Sequence, residues 1–255
     1  MPLRPDQTDR YLRHLLLKEV GGQGQQKLLA SKVLVVGAGG IGAPALQYLA
    51  AAGVGRIGIA DDDVVSLSNL QRQVIYRTED VGRAKTSCAM EAIRRLNPEI
   101  DVQEHRVKIT DANAGGIFTD YDLILEGIDT FGGRFIMNRA AIAARKPLIS
   151  AAVGRFDGRL ATFKPYEKPG VLPCYRCLTP EEPPRDTQIN CAEEGVLGAV
   201  TGVIGALAAM EVLKELLVIG DTLAGKLLIY DGLRAETRTV ALPADPACPD
   251  CAILK

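Results

Sequence analysis

Short runs of aliphatic and β-branched residues alternate with longer stretches of helical spacing through the first half of the chain. Lys32–Val36, Arg56–Ala60, Val102–Val107, Leu123–Glu126 and Pro147–Ala151 read as strands. Apolar runs of this kind belong to parallel sheets covered by helices on both faces. Helices are expected at Ile41–Ala52, Lys85–Asn97 and Arg134–Ala144. They follow the first, second and fourth strands, as βαβ crossovers require. A charged N-terminal arm with helical spacing, residues 1–30, precedes the first strand.

The second half has a different pattern. A strand is expected at Arg159–Lys164, a long helix over Val196–Val218, and two further strands at Lys226–Tyr230 and Glu236–Val240. Between them Val171–Glu194 is a loop rich in Pro and Cys. Loops longer than about 15 residues inside a compact domain are functional or mobile. Residues 174–194 are therefore expected to form a mobile loop, least ordered over Thr179–Asn190, where Pro180, Pro183 and Pro184 fall. No linker divides the chain, and residues 1–255 are expected to form a single domain.

Composition narrows the function classes. With 255 residues and 47% hydrophobic content the chain can bury a sizeable core. A formal net charge of −1 provides no general attraction to nucleic acid, and no nucleic-acid partner is expected. The start, Met1-Pro-Leu-Arg-Pro-Asp, lacks the apolar core of a signal peptide. The longest uncharged apolar run, Val196 to Met210, is closed by Glu211 and falls short of the roughly 20 residues of a membrane helix. A cytoplasmic protein without membrane contact is expected.

Chemistry concentrates between Lys32 and Gln73. Gly37-Ala-Gly-Gly-Ile-Gly42 follows the first strand and opens the first crossover helix. Gly37, Gly39 and Gly42 match the G-x-G-x-x-G fingerprint, with Gly40 between them, and the helix N-terminus would face phosphate. Asp61 ends the second strand, where a carboxylate can accept hydrogen bonds from ribose hydroxyls. Alone, these features suit NAD as well as ATP, or merely a tight turn. Ser68-Asn-Leu-Gln-Arg-Gln73 and Lys85 change the balance. Arg72 offers a planar fork for phosphate oxygens and Lys85 a point charge, which together can neutralise a triphosphate. Asp129 follows the fourth strand at the carboxyl edge of the sheet, where open α/β folds bind ligands. Its plainer reading is a cap of the next helix.

Arg10-Tyr-Leu-Arg13, Gly37–Gly42, Asp61-Asp-Asp63, Ser66–Gln73, Val81–Lys85, and Asp129 with Arg134 and Asn138 together resemble the MoeB/ThiF family. These are bacterial relatives of ubiquitin-activating enzymes. The resemblance runs from Arg10 to Cys251. It implies an α/β, doubly wound Rossmann-like mixed sheet, parallel in the N-terminal half with antiparallel C-terminal strands. It also implies ATP-dependent adenylation of the C-terminal Gly-Gly carboxylate of a ubiquitin-like sulfur carrier, with release of pyrophosphate. Asp61 would hold the ribose, Asn69, Arg72 and Lys85 would contact the phosphates, and Asp63 and Gln73 are also expected among the nucleotide-binding residues. Asp129 would hold Mg²⁺, and Arg134 is expected among the nucleotide-binding residues. Arg13 resembles an arginine that reaches the neighbouring subunit's ATP, which implies a homodimer with composite sites. Thr130 and His14 depart from the residues frequent in the family at those positions. A carboxylate attacks phosphorus without a general base, which agrees with a chain of two histidines, His14 and His105. His105 reads as structural or solvent-facing.

The cysteines divide into three kinds. Cys174-Tyr-Arg-Cys177 and Cys248-Pro-Asp-Cys251 are C-x-x-C pairs whose four thiolates suit a tetrahedral Zn²⁺. Their separation exceeds that of a zinc ribbon, and redox pairs are the alternative. The resemblance implies a zinc site away from the nucleotide, with residues 248–251 tethering the C-terminal tail. Cys88 reads as a small core residue. Cys191 resembles the family cysteine that accepts the activated carrier or sulfur, and a following helix N-terminus would favour its thiolate. No rhodanese-like extension accompanies it, so an external sulfur donor is expected. Three competing readings remain open: an NAD-dependent oxidoreductase, an adenylating relative acting on tRNA or a peptide, and a silent binding module.

Overall fold

A computed structural model describes residues 2–182 and 195–254. The arm folds as α1 (Pro5–Arg10), α2 (Leu12–Leu15) and α3 (Gly21–Ala30). Then come β1 (Lys32–Val36), α4 (Gly42–Ala52), β2 (Arg56–Ala60), α5 (Lys85–Leu96), β3 (Asp101–His105), α6 (Asp111–Phe118) and β4 (Leu123–Glu126). The second half comprises α7 (Phe131–Ala144), β5 (Leu148–Val153), β6 (Asp157–Phe163), α8 (Tyr175–Leu178), α9 (Gly198–Leu217), β7 (Lys226–Asp231) and β8 (Glu236–Ala241).

One mixed sheet runs in the order β3-β2-β1-β4-β5-β6-β7-β8. The strands from β3 to β5 are parallel, and β6, β7 and β8 join antiparallel, as the sequence implied. β1 lies between β2 and β4, so the strand order reverses there and opens a crevice beyond their carboxyl ends. That reversal positions the site.

The core explains the apolar helix. Val200, Ile204, Ala208 and Val212 of α9 are buried, packing with α4 residues and with Ile149 and Leu160 of β5 and β6. Contact is close enough that a Cβ on Gly205 would lie 2.4 Å from Pro44 Cγ. Glu211, buried within the same helix, is satisfied by the Thr162 hydroxyl at 2.8 Å, the Leu223 amide and Lys214. No helix among the described residues is long and apolar enough to cross a membrane.

The differences from expectation are local. The third strand ends at His105 rather than Val107, because Val107, Lys108 and Ile109 leave the sheet to line the central cavity. α6 was not anticipated: Gly115 and Gly116 weaken its helical signal, and it starts on a Thr110–Asn113 capping box instead. A helical turn, α8, interrupts the loop that was expected to begin at 174. Most of Thr179–Asn190, and Cys191 with it, lies outside the described residues. His105 is half-buried and its Nε2 meets the Tyr121 hydroxyl at 2.7 Å, a structural contact.

Candidate nucleotide and carboxylate site

The glycine loop lies at the reversal point. Gly37 has φ of +90°, a backbone conformation that favours glycine. A Cβ on Gly42 would stand 2.0 Å from the Gly37 carbonyl oxygen, so this glycine seats α4 against the loop. Around Gly39 the nearest atom is Gln73 Nε2, 3.7 Å from a built Cβ, which leaves the loop open on that side. In the first turn of α4 the Ala43 amide donates to Gly39 O at 2.9 Å, the Ala45 amide to Ile41 O at 3.3 Å, and Pro44 has no N–H, so the turn faces the loop with the positive end of the helix dipole rather than with a row of free amides. The buried Tyr76 hydroxyl donates to Ala38 O at 2.7 Å and braces the loop from behind.

A cavity of about 440 Å³ opens above this loop. Gly37, Gly39, Gly40, Asp61 and Asp63 line one side, and Asn69, Arg72, Gln73 and Lys85 another. The exposed Asp129 also lines it. Asp61 accepts the amides of Ala38 and Asp63, each at 2.8 Å. Burial pushes its carboxyl up, against the pull of the Lys85 ammonium and those amides. Lys85 is buried, with its Nζ 2.8 Å from Asp63 Oδ2, while Asp63 itself is largely exposed. The buried Lys85 ammonium thus stands at the cavity wall, paired with the exposed Asp63 carboxylate and close enough to the half-buried Asp61 to act on it electrostatically. Arg72 donates to Ser68 O at 3.0 Å and has no carboxylate partner among the described residues. Asn69 Oδ1 accepts the Ser66 amide at 3.2 Å and caps the short 3₁₀ turn that presents Arg72. Gln73 is buried, and its Oε1 has no hydrogen-bond partner among the described residues.

Asp129 stands on the turn after β4 and makes no hydrogen bond or ion pair among the described residues. Arg134 does not join it at the first cavity. Its guanidinium donates to Ile128 O at 2.6 Å and Ala151 O at 3.0 Å, and faces Glu126 Oε1 at 3.4 Å. Glu126 is fully buried, accepts the Ile128 amide at 3.1 Å, and takes the Ser150 hydroxyl. Burial pushes its carboxyl up, while Arg134 and Ser150 oppose the shift. Glu126, Arg134 and Ser150 thus hold the turn that aims Asp129. Sequence reading missed Glu126, although a carboxylate ending an otherwise apolar strand was a visible signal. It also missed Thr201, whose hydroxyl meets Arg72 O at 3.2 Å and whose side chain packs on Gly40.

A second cavity of about 330 Å³ lies across that turn. Ile41, Gly127, Ile128, Asp129 and Val153 border both cavities. Phe131, Leu160, Phe163 and Tyr175 make its walls apolar, while Arg134, Asp157 and Arg159 add charge. Arg13, on α2, borders neither cavity.

The four paired cysteines meet elsewhere. Their sulfurs all lie within 4.8 Å of one another, with Cys174–Cys248 at 3.6 Å and Cys177–Cys251 at 3.5 Å. Four sulfurs around zinc at about 2.3 Å would stand about 3.8 Å apart, so the donor set fits Zn²⁺. Burial pushes the Cys174 thiol up to about 12, a penalty that a bound dication removes. Cys88 is a buried core residue, as expected.

The model of the ThiF family matches residues 11–250. The chain belongs to the ThiF family. A Thermus thermophilus protein named sulfur carrier protein adenylyltransferase is 46% identical, the alignment covering 96% of this chain and 91% of that one. A Haloferax volcanii SAMP-activating enzyme E1 is 42% identical, covering 98% and 91%. Adenylyltransferase and sulfurtransferase MOCS3 of Anopheles gambiae is also 42% identical, but the chain spans only 56% of its length. Among solved structures, E. coli MccB with ATP superposes with a TM-score of 0.81 at 25% identity, covering 95% of this chain and 74% of that chain. Membership also accounts for the mixed sheet and for the family motifs lining the first cavity.

Proposed function

We propose that this ThiF-family protein is an adenylyltransferase that uses ATP to adenylate the C-terminal Gly-Gly carboxylate of a small ubiquitin-like sulfur carrier. The observation that carries this reading is the placement of Asp129, a carboxylate without a partner among the described residues, between a cavity that bears Arg72 and Lys85 beside the glycine loop and a second with largely apolar walls. ATP would lie over Gly39 with its ribose at Asp61 and its phosphates toward Arg72, Asn69 and Lys85. The carrier's tail would enter from the second cavity. A carboxylate oxygen of the tail then bonds to the α-phosphorus as the bond to the bridging oxygen breaks, and pyrophosphate leaves with that electron pair. No proton is transferred in this step. The chain's work is to align two anions and offset their charge. Asp129 is the residue that would hold Mg²⁺, whose charge would assist that offset when bound.

The acyl-adenylate would then pass to sulfur transfer in molybdopterin or thiamine synthesis, with Cys191 as a further acceptor and sulfur from an external donor. The adenylation centre would be completed in a homodimer by Arg13 of a second copy. An oxidoreductase would have no use for an arginine and a buried lysine beside the dinucleotide loop.

The test is carrier-dependent exchange of ATP with labelled pyrophosphate, using several Gly-Gly-terminated carriers. Exchange above background with at least one carrier is expected, abolished by Asp129→Ala and retained by Cys191→Ala. Background exchange with every carrier would sink the proposal. Loss of exchange in folded Cys191→Ala protein would overturn the order of steps.

A further inference from the structure

A single buried amide joins the cysteine cluster to α7. Asn138 is 1% exposed. Its Nδ2 donates to Asp250 Oδ2 at 2.8 Å and faces Cys174 Sγ at 3.5 Å, while its Oδ1 accepts the Tyr175 amide at 2.8 Å. Both donors and the acceptor are thereby used, and this pattern fixes the amide's orientation. Asp250 lies between Cys248 and Cys251 and also meets Arg176 Nε at 3.4 Å. The Arg176 guanidinium in turn lies 4.6 Å over the Phe135 ring of α7.

α8 is a single helical turn that starts after Cys174 and includes Cys177. A turn this short has almost no stability of its own. Its place is set by the sulfurs at its two ends, by Asn138, and by the Tyr175 ring. That ring packs edge-on against Phe135 at 5.5 Å and Phe163 at 6.0 Å. Tyr175 and Leu178 of α8 then form one wall of the second cavity, and Phe131 and Arg134 of α7 form another. The first cavity takes no residue from α8 or from the cysteine segments, and from α7 it takes Gly133 and Met137.

We propose that Asn138 is a positioning residue that couples the four-cysteine site, through α8, to the second cavity, so that metal binding sets the affinity for the carrier's tail far more than that for the nucleotide. Metal on the four sulfurs fixes α8, Asn138 locks α8 to α7, and the two helices hold that wall of the cavity in place. Asn138 also supports the metal directly, because an N–H directed at a ligating thiolate stabilises its charge. The effect on the carrier rests on the reading of the second cavity as the seat of the tail; the effect on the metal does not.

The experiment uses the zinc-loaded full chain and its Asn138→Ala and Asn138→Asp variants. Zinc release is followed with a chromogenic pyridylazo chelator, without any substrate present. Loss of an outer-shell partner weakens metal binding about 10- to 100-fold, so release from Asn138→Ala should be at least tenfold faster. Asn138→Asp keeps an acceptor for the Tyr175 amide but directs a carboxylate at the thiolate, and should release zinc faster still. In exchange assays with a carrier that the parent protein activates, KM for the carrier should rise about tenfold, with KM for ATP within about twofold. Zinc release at the parent rate from both variants would overturn the proposal, as would equal rises in both KM values. Should Asn138→Ala fail to fold, Asp250→Asn, which keeps the side-chain shape, is held to the same outcomes. If no carrier supports exchange with the parent protein, the proposed function has failed, and faster zinc release still establishes the link from Asn138 to the metal.

Discussion

Adding one methyl group at either of two glycines three positions apart should produce opposite defects. At Gly42 a Cβ would stand 2.0 Å from the Gly37 carbonyl oxygen and 3.0 Å from its carbon, both backbone atoms that cannot swing aside. Overpacking of this kind costs about 1–3 kcal/mol. For a domain of this size each kcal/mol lowers Tm by about 2–4 °C, so Gly42→Ala should melt about 2–12 °C below the parent. At Gly39 the new atom meets only Gln73 Nε2 at 3.7 Å, and the backbone lies outside the left-handed region. Alanine there should stabilise the free protein by about 0.4–1 kcal/mol, through the unfolded chain. The same methyl occupies the approach of the phosphates to the loop. If it weakens ATP tenfold, a nucleotide concentration that adds about 2.7 kcal/mol to the parent adds only about 1.4 kcal/mol to Gly39→Ala. Thermal denaturation with and without ATP reads both numbers. A full ATP-induced shift in Gly39→Ala would remove phosphate from the loop, and parent-like melting of Gly42→Ala would refute the packing argument.

Three further outcomes are expected. Glu126→Ala leaves the Arg134 guanidinium, whose side chain is 11% exposed, without its buried counter-charge; it should lose about 3–5 kcal/mol in denaturant unfolding, and a loss under about 1 kcal/mol would show that the Asp129 turn does not depend on this pair. His105 is held below its usual 6.5 by burial, with Asp120 opposing, so the unfolded chain takes up that proton first. Its contribution is therefore complete above about 6.5 and is lost as pH falls through the lowered folded value; His105→Gln should melt with a shallower acid slope than the parent between pH 7.5 and 5, and identical slopes would reject this. If Arg13 completes a partner's site, mixing inactive Arg13→Ala and Asp129→Ala proteins should restore about a quarter of parent exchange activity, because half the dimers are mixed and each carries one intact site. No recovery after verified subunit exchange would exclude composite sites.

Strands and crossover helices could be read from sequence because their signal is periodic. Lys32–Val36, Arg56–Ala60 and Leu123–Glu126 have the expected boundaries. α6 and α8 were invisible for a different reason. α6 carries two glycines and is held by its cap and by Ala114 and Phe118 in the core, while α8 is a turn that starts after Cys174 and includes Cys177. Cavity residues from Gly37 to Lys85 were found because their residue types carry chemistry. The supports behind them were not: Glu126, Ser150, Tyr76 and Thr201 act through contacts made across the fold, between residues far apart in the chain. Arg134 marks the boundary between the two classes. Its residue type points to phosphate, whereas its contacts are the carbonyls of Ile128 and Ala151.

The turn from Gly127 to Asp129 is one partition with a cavity on each side. Any ligand that narrows its excursions on one face lowers the ordering entropy left for a ligand on the other. If ATP and a carrier's tail occupy the two cavities, as proposed, their affinities would be tied by reciprocity: whatever factor ATP contributes to holding the tail, the tail contributes to holding ATP. With ATP in one cavity and a carrier's tail in the other, as proposed, each dissociation constant would take a definite value only when the occupancy of the opposite cavity is stated.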